Sequence, residues 1–258
     1  MPDEPRIDPS EEFSHLSRAP IVEAVLEIRS RAEAPWEEQA ILNLLKSELP
    51  EYPSALSQRE VRHELTMGPG QPTESKLQDL GMKGFRFESS DKRQIVQFNR
   101  DGFVFSRLAP YEGWEKFSGE SLRLWEMYST LAKPSQIQRL GLRFINRIPL
   151  IPQHDTLDYY LVAPPEKSPE LDFPLVAFLH RDSFSVPGLP YIVNLVKTVQ
   201  PQQTLGGPGP SLILDIDVVS DQPFLLNEGL EGRVIEMGWL KNKFFFGNIT
   251  QQLLETFK

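Results

Sequence analysis

Ile137-Gln138-Arg139-Leu140-Gly141-Leu142-Arg143-Phe144-Ile145-Asn146-Arg147-Ile148 decides how the rest of the chain is read. Leu140, Leu142, Phe144 and Ile148 fall on one side of an extended backbone, and Arg139, Arg143 and Arg147 on the other. Alternation with a period of two marks a strand with one buried face. The same pattern stands near the start, at 21–29. There Val22, Ala24, Leu26 and Ile28 form the apolar face, and Glu23, Val25, Glu27 and Arg29 the polar one. Each strand opens a similar order of elements, the second about 115 residues after the first.

After the first strand, Pro35 leads a short helix carrying Ile41, Leu42, Leu44, Leu45 and Leu49, stopped by Pro50 and Pro53. Strands follow around Val61–Leu65, 85–87, 95–98 and 103–108, with turns at Asp91 and at Asn99-Arg100-Asp101-Gly102. A helix over 113–133 closes this half at Pro134. The second half runs from its opening strand through a proline-rich excursion, 149–174, with a short helix near 157–161. Strands around 175–184, 191–199 and 212–219 come next, the last two joined by a tip at 200–210. A closing helix spans 227–257. The expected fold is α+β: two pseudo-symmetric β-α-β(3-4)-α halves, 19–134 and 135–258, behind a flexible acidic tail at 1–18. Their antiparallel sheets join at the two opening strands, and both long helices pack on one face.

The chain has 258 residues, 40% of them hydrophobic, which is enough for a sizeable core. Its net charge of −9 disfavours general binding to phosphate backbones or anionic lipid. There is no cysteine, so disulfide and thiolate chemistry are excluded. No stretch reaches the roughly 20 apolar residues of a membrane span. Met1-Pro2-Asp3-Glu4 is acidic where a signal peptide is basic, so the expected location is cytoplasmic.

Motifs for chemistry are sparse. His15, His63, His154 and His180 are scattered without metal-ligand spacing, and 68–72 lacks the Gly-Lys-Ser/Thr ending of a phosphate loop. His180-Arg181-Asp182 reads as structural. The arginine row is the strongest polar feature, its members projecting from one face at roughly 13 Å intervals. It suits anion binding, but Glu23, Glu27, Asp215 and Asp217 stand ready to neutralise it, and pairing is the favoured reading. Asp215-x-Asp217 lacks a nearby third carboxylate, so no metal is expected. No cofactor is expected either. Trp239, Phe244, Phe245 and Phe246 need more cover than one helix face provides. The other half's helix, a ligand cavity or a partner chain would supply it, and self-association or a stable hetero-complex is expected.

Ala19-Pro20-Ile21-Val22-Glu23-Ala24-Val25, Leu142-Arg143-Phe144-Ile145-Asn146-Arg147-Ile148, and Phe244-Phe245 with Asn248-Ile249-Thr250 carry a resemblance. Together they resemble a sporadically distributed prokaryotic family of uncharacterised proteins of about 250 residues, over roughly residues 16–257. The resemblance carries no catalytic residues. It implies mobile genetic neighbourhoods, where defence and toxin–antitoxin components are common. The order of the first half is also similar to the half-unit of the TATA-binding saddle, an analogy of fold alone. The expected function is a non-enzymatic protein-binding or regulatory subunit, possible in a mobile-element or defence-type system. The alternative is a small-ligand or nucleotide-handling protein, with enzymatic activity left open, using Arg139, Arg143, Asp215 and Asp217. A nucleic-acid saddle comes third.

Overall fold

The two opening strands pair with each other. In the computed structural model, β1 (Ile21–Arg29) runs antiparallel to β7 (Arg139–Pro149), with Leu26 opposite Leu142 and Ala24 opposite Phe144. The structure describes residues 7, 8, 10–66, 74–151, 156–166, 168, 170, 173, 175–201 and 209–258, without the side chains of 63–66 and 74–76. The loop expected at 68–72, most of the tip at 200–210, His154 and the His63 side chain lie outside that set.

The pair sits in the middle of one antiparallel sheet. The other strands are β2 (Ser54–Thr66), β3 (Glu74–Glu88), β4 (Gln94–Asn99), β5 (Gly102–Leu108), β8 (Leu179–Ser185), β9 (Ile192–Gln200) and β10 (Ser211–Ser220). Their order is β2-β3-β4-β5-β1-β7-β10-β9-β8, nine strands among the described residues. A second, two-stranded sheet joins β6 (Gln136–Ile137) to β11 (Phe224–Leu225). The helices are α1 (Glu38–Glu48), α2 (Trp114–Ala132), α3 (Leu230–Asn248) and α4 (Gln251–Glu255). The architecture is therefore mixed α+β around a large antiparallel sheet.

Local chemistry explains most boundaries. On α2, Phe117, Ser121, Leu124, Trp125, Tyr128 and Ala132 are buried, spaced three and four apart as one helical stripe requires. Phe117 lies 5.7 Å from Phe105 and 5.5 Å from Phe144, ring centre to ring centre, which seats α2 across β5 and β7. Lys133 then takes a left-handed conformation (φ 46°), and Pro134 forbids another turn. On α3, Val234, Met237, Leu240 and Phe245 join the same core.

Three expectations need correction. The strands expected around 61–65 and at 85–87 are parts of a much longer hairpin, β2 with β3; it carries exposed Leu56, Val61, Leu77 and Leu80, so alternation there is weak. The strand expected at 175–184 starts only at Leu179. The closing helix is broken: Ile249 is extended (φ −100°, ψ 137°) and bridges to Leu161. Thr250 restarts the chain as α4 by accepting a hydrogen bond from the Leu253 N–H at 3.2 Å. A threonine side chain is a good N-cap and so fixes the restart.

Candidate functional site

One face of the sheet meets α2 and α3; the other carries the charged residues singled out in the sequence. Pleating alone puts them there, since residues directly opposite in an antiparallel sheet point the same way. Val25, Arg143 and Asp217 form one cross-strand row, and Glu23, Ile145 and Asp215 the next. This face is open to solvent at its centre, where the Arg143 side chain is 49% exposed.

The arginines are largely spoken for. Arg143 donates to both oxygens of Asp215, Nε to Oδ1 at 2.8 Å and Nη2 to Oδ2 at 2.5 Å. Arg139 pairs with Glu27, and its Nε lies 3.1 Å from Asp221 Oδ1. Arg147 donates to the Ser211 hydroxyl at 3.2 Å and has no carboxylate partner among the described residues. Hydrogen bonding to Asp215 raises the Arg143 pKa further above its ordinary value, with smaller contributions from Asp217 and Glu23. Burial pushes the Asp217 carboxyl up, opposed by the fields of Arg139 and Arg143. Asp217 and Glu23 thus act on the arginines through space, without a direct ion pair. No group of three or more metal-ligating side chains occurs among the described residues.

Half-exposed pairs of this kind set register more than stability. The coupling between Arg143 and Asp215 in a double-mutant cycle (Arg143→Ala, Asp215→Ala) is expected to be about 0.5–1 kcal/mol and to shrink with salt. A coupling several times larger, insensitive to salt, would mean that this face is far drier than its exposure indicates.

The four C-terminal aromatics find cover within the chain. Phe245 is buried, whereas Trp239, Phe244 and Phe246 are partly so. Phe246 stacks on Phe13 with ring centres 5.3 Å apart, and Phe244 meets Phe184 of β8 at 5.0 Å. Lys243 Nζ sits 5.4 Å from the Trp239 ring. Residues 11–18 thereby lie along α3 and the C-terminal residues: Lys243 pairs with Glu11, the Arg18 N–H donates to the Phe257 carbonyl, and Arg18 Nη2 donates to the Thr256 carbonyl at 2.8 Å.

Beneath that segment lies a cavity of about 590 Å³ that sequence reasoning missed. The segment around 13–21, the start of α2, β7 and α3 each supply a wall. Lys241 and Asn146 are its most deeply placed polar side chains, 8% and 2% exposed. Asn146 donates to the Leu214 carbonyl at 3.0 Å. Lys241 Nζ lies 4.3 Å from the Phe144 ring centre and 5.9 Å from that of Trp114. No carboxylate among the described residues pairs with it, and burial pulls its pKa down to about 7. Tyr111 OH, also on the cavity wall, is buried without a hydrogen-bond partner among the described residues.

Both missed residues interrupt an apolar pattern. Asn146 follows Leu140, Leu142 and Phe144 in phase on β7, and Lys241 continues the stripe of Val234, Met237 and Gly238 on α3. A polar residue in the apolar phase was the available signal. Gly238 lies about one turn before Lys241 on α3: a Cβ there would come within 2.7 Å of the Trp114 indole, so glycine lets that ring lie against α3. No model of a known protein family matches this chain, and no curated protein matches it either.

Proposed function

We propose that the chain is a non-enzymatic binding or regulatory subunit that engages a protein partner through the open face of its sheet. The observation that carries this reading is the pairing of Arg143 with Asp215 and of Arg139 with Glu27 and Asp221. Guanidinium groups already satisfied in this way are poor anchors for a free phosphate or nucleotide. They also offer no continuous basic surface to a duplex. Partly buried aliphatics, among them Val25, Ile145 and Ile213, lie between the pairs.

Apolar area broken by matched charges is the composition of a protein interface, and the face is large enough. Nine strands at about 4.8 Å spacing give a width of nearly 40 Å, and their length is about 30 Å. That exceeds the roughly 800 Å² per partner of a standard interface. To this reading belong the finer parts of the sequence interpretation. They are two halves related by a pseudo-twofold between β1 and β7, saddle-like by analogy, membership of the sporadically distributed family, and a place in a defence-type system.

The test is affinity capture from cells of the source, with wild type beside an Ile145→Glu/Ile213→Glu double variant. Both new carboxylates would project from the open face. A stoichiometric partner held by wild type and lost by the variant, whose melting temperature stays within a few degrees, supports the reading. Equal capture by both proteins, or a wild type that stays monomeric by light scattering and captures nothing, sinks it.

A further inference from the structure

Lys241 poses a chemical problem that its own neighbours do not solve. It is 8% exposed, no hydrogen-bond acceptor reaches its amine among the described residues, and the aromatic face of Phe144 is its nearest charge-stabilising group. A ring face stabilises a cation but accepts none of the three N–H bonds well. Tyr111 OH has no partner among the described residues, and its ring centre lies 5.6 Å from that of Phe144. A third set of donors faces the same hollow. α2 begins at Trp114, and its N-cap is Gly113, which has no side chain to cap the free N–H groups of the first turn.

We propose that this cavity binds a small organic acid, its carboxylate between Lys241, Tyr111 and the first turn of α2, its apolar body against Trp114, Phe144 and Phe245. The three polar elements are donors that lack acceptors, so an acceptor-rich group complements them all. A carboxylate also suits the positive end of a 19-residue helix. The volume of about 590 Å³ falls within the range of small-molecule sites. The aromatic walls favour a compact apolar body over a sugar or a free phosphate.

Other ionisable groups border the space and shape the specificity. Glu112 is held by Arg107 at 2.6 Å and Lys116 at 3.1 Å, so its charge is compensated. Glu115 lies on the wall and raises the Tyr111 pKa through its field, a minor part beside burial. It disfavours a second negative charge on the ligand, which argues for a monoacid. His15 stands on the covering segment. With Lys241 poised near neutrality, capture of an anion at mildly alkaline pH must draw a proton onto the amine. A purely structural lysine would show no such coupling.

The probe is 3-phenylpropionate, titrated calorimetrically into the full chain beside its neutral amide, in two buffers of different ionisation enthalpy. The acid should bind saturably at millimolar concentration or tighter, at least about tenfold better than the amide, with net proton uptake above neutral pH. Lys241→Met should abolish both the preference and the proton uptake while remaining folded by circular dichroism. Tyr111→Phe should weaken acid binding several-fold and leave the amide unchanged. Three results would each overturn the proposal: no saturable binding of the acid by wild type, equal binding by Lys241→Met, or equal affinity for acid and amide.

Discussion

Replacing Phe144 by alanine is expected to destabilise the fold by about 3–5 kcal/mol, the usual range for emptying a buried phenylalanine site. Phe144 is 1% exposed and sits where three parts of the molecule meet. Phe117 of α2 approaches it at 5.5 Å, Tyr111 at 5.6 Å, and Lys241 of α3 at 4.3 Å. The sheet beneath is held by strand pairing on both sides, so the space has little scope to collapse. Urea unfolding followed by circular dichroism measures the loss. A change below about 1 kcal/mol would show that α2 and α3 do not depend on this ring for their seating on the sheet.

The neighbouring residue should respond in the opposite direction. Lys241→Met is expected to stabilise the protein, and by an amount that depends on pH. The amine titrates near 7 when folded and near 10.5 when free. Below pH 7 it is charged in both states, and folding carries the full cost of burying the charge. At about 1.4 kcal/mol per pH unit that cost is on the order of 5 kcal/mol, with the Phe144 contact offsetting part of it. Between pH 7 and 10.5 the unfolded chain holds the extra proton, so wild type gains stability as pH rises and the cost fades. Methionine fills the same volume without a charge. Its advantage should therefore be largest near pH 6 and nearly gone by pH 10.5. Chemical unfolding of both proteins across this range is the measurement, and a difference that does not vary with pH would refute the assignment.

Much of the sheet was legible because its pattern is written in residues that tolerate one reading. Leu140, Leu142 and Phe144 against Arg139, Arg143 and Arg147 can face the core and solvent only one way, and β1 repeats the arrangement with opposite charge. The long β2–β3 hairpin was harder: Leu56, Val61, Leu77 and Leu80 are all exposed, so apolar residues there do not mark a buried face. The break at Ile249 is local chemistry, an Asn-Ile-Thr sequence that can end one helix and cap another, hidden inside a longer apolar periodicity. The charged face could be read as paired because the register follows from the alternation. The cavity could not. It depends on where residues 13–21, the start of α2 and α3 meet, and no local period encodes such a meeting. Only Asn146 and Lys241, polar residues in apolar positions, hinted at it.

The place of β1 between β5 and β7 has a consequence for how the molecule is made. β1 leaves the ribosome before the other described strands, yet it ends at the centre of the sheet, and the strand that closes its second edge lies roughly 115 residues downstream. Until β7 emerges, the row of backbone amides and carbonyls from Ile21 to Arg29 that will face it has no mate. One side of that row is the apolar set Ala24, Leu26 and Ile28, a ready template for another copy's nascent strand. The acidic residues Glu23 and Glu27 alternate along the same strand. Before Glu27 pairs with Arg139 of β7, the two carboxylates set like charge against like charge on two such strands and so oppose their pairing.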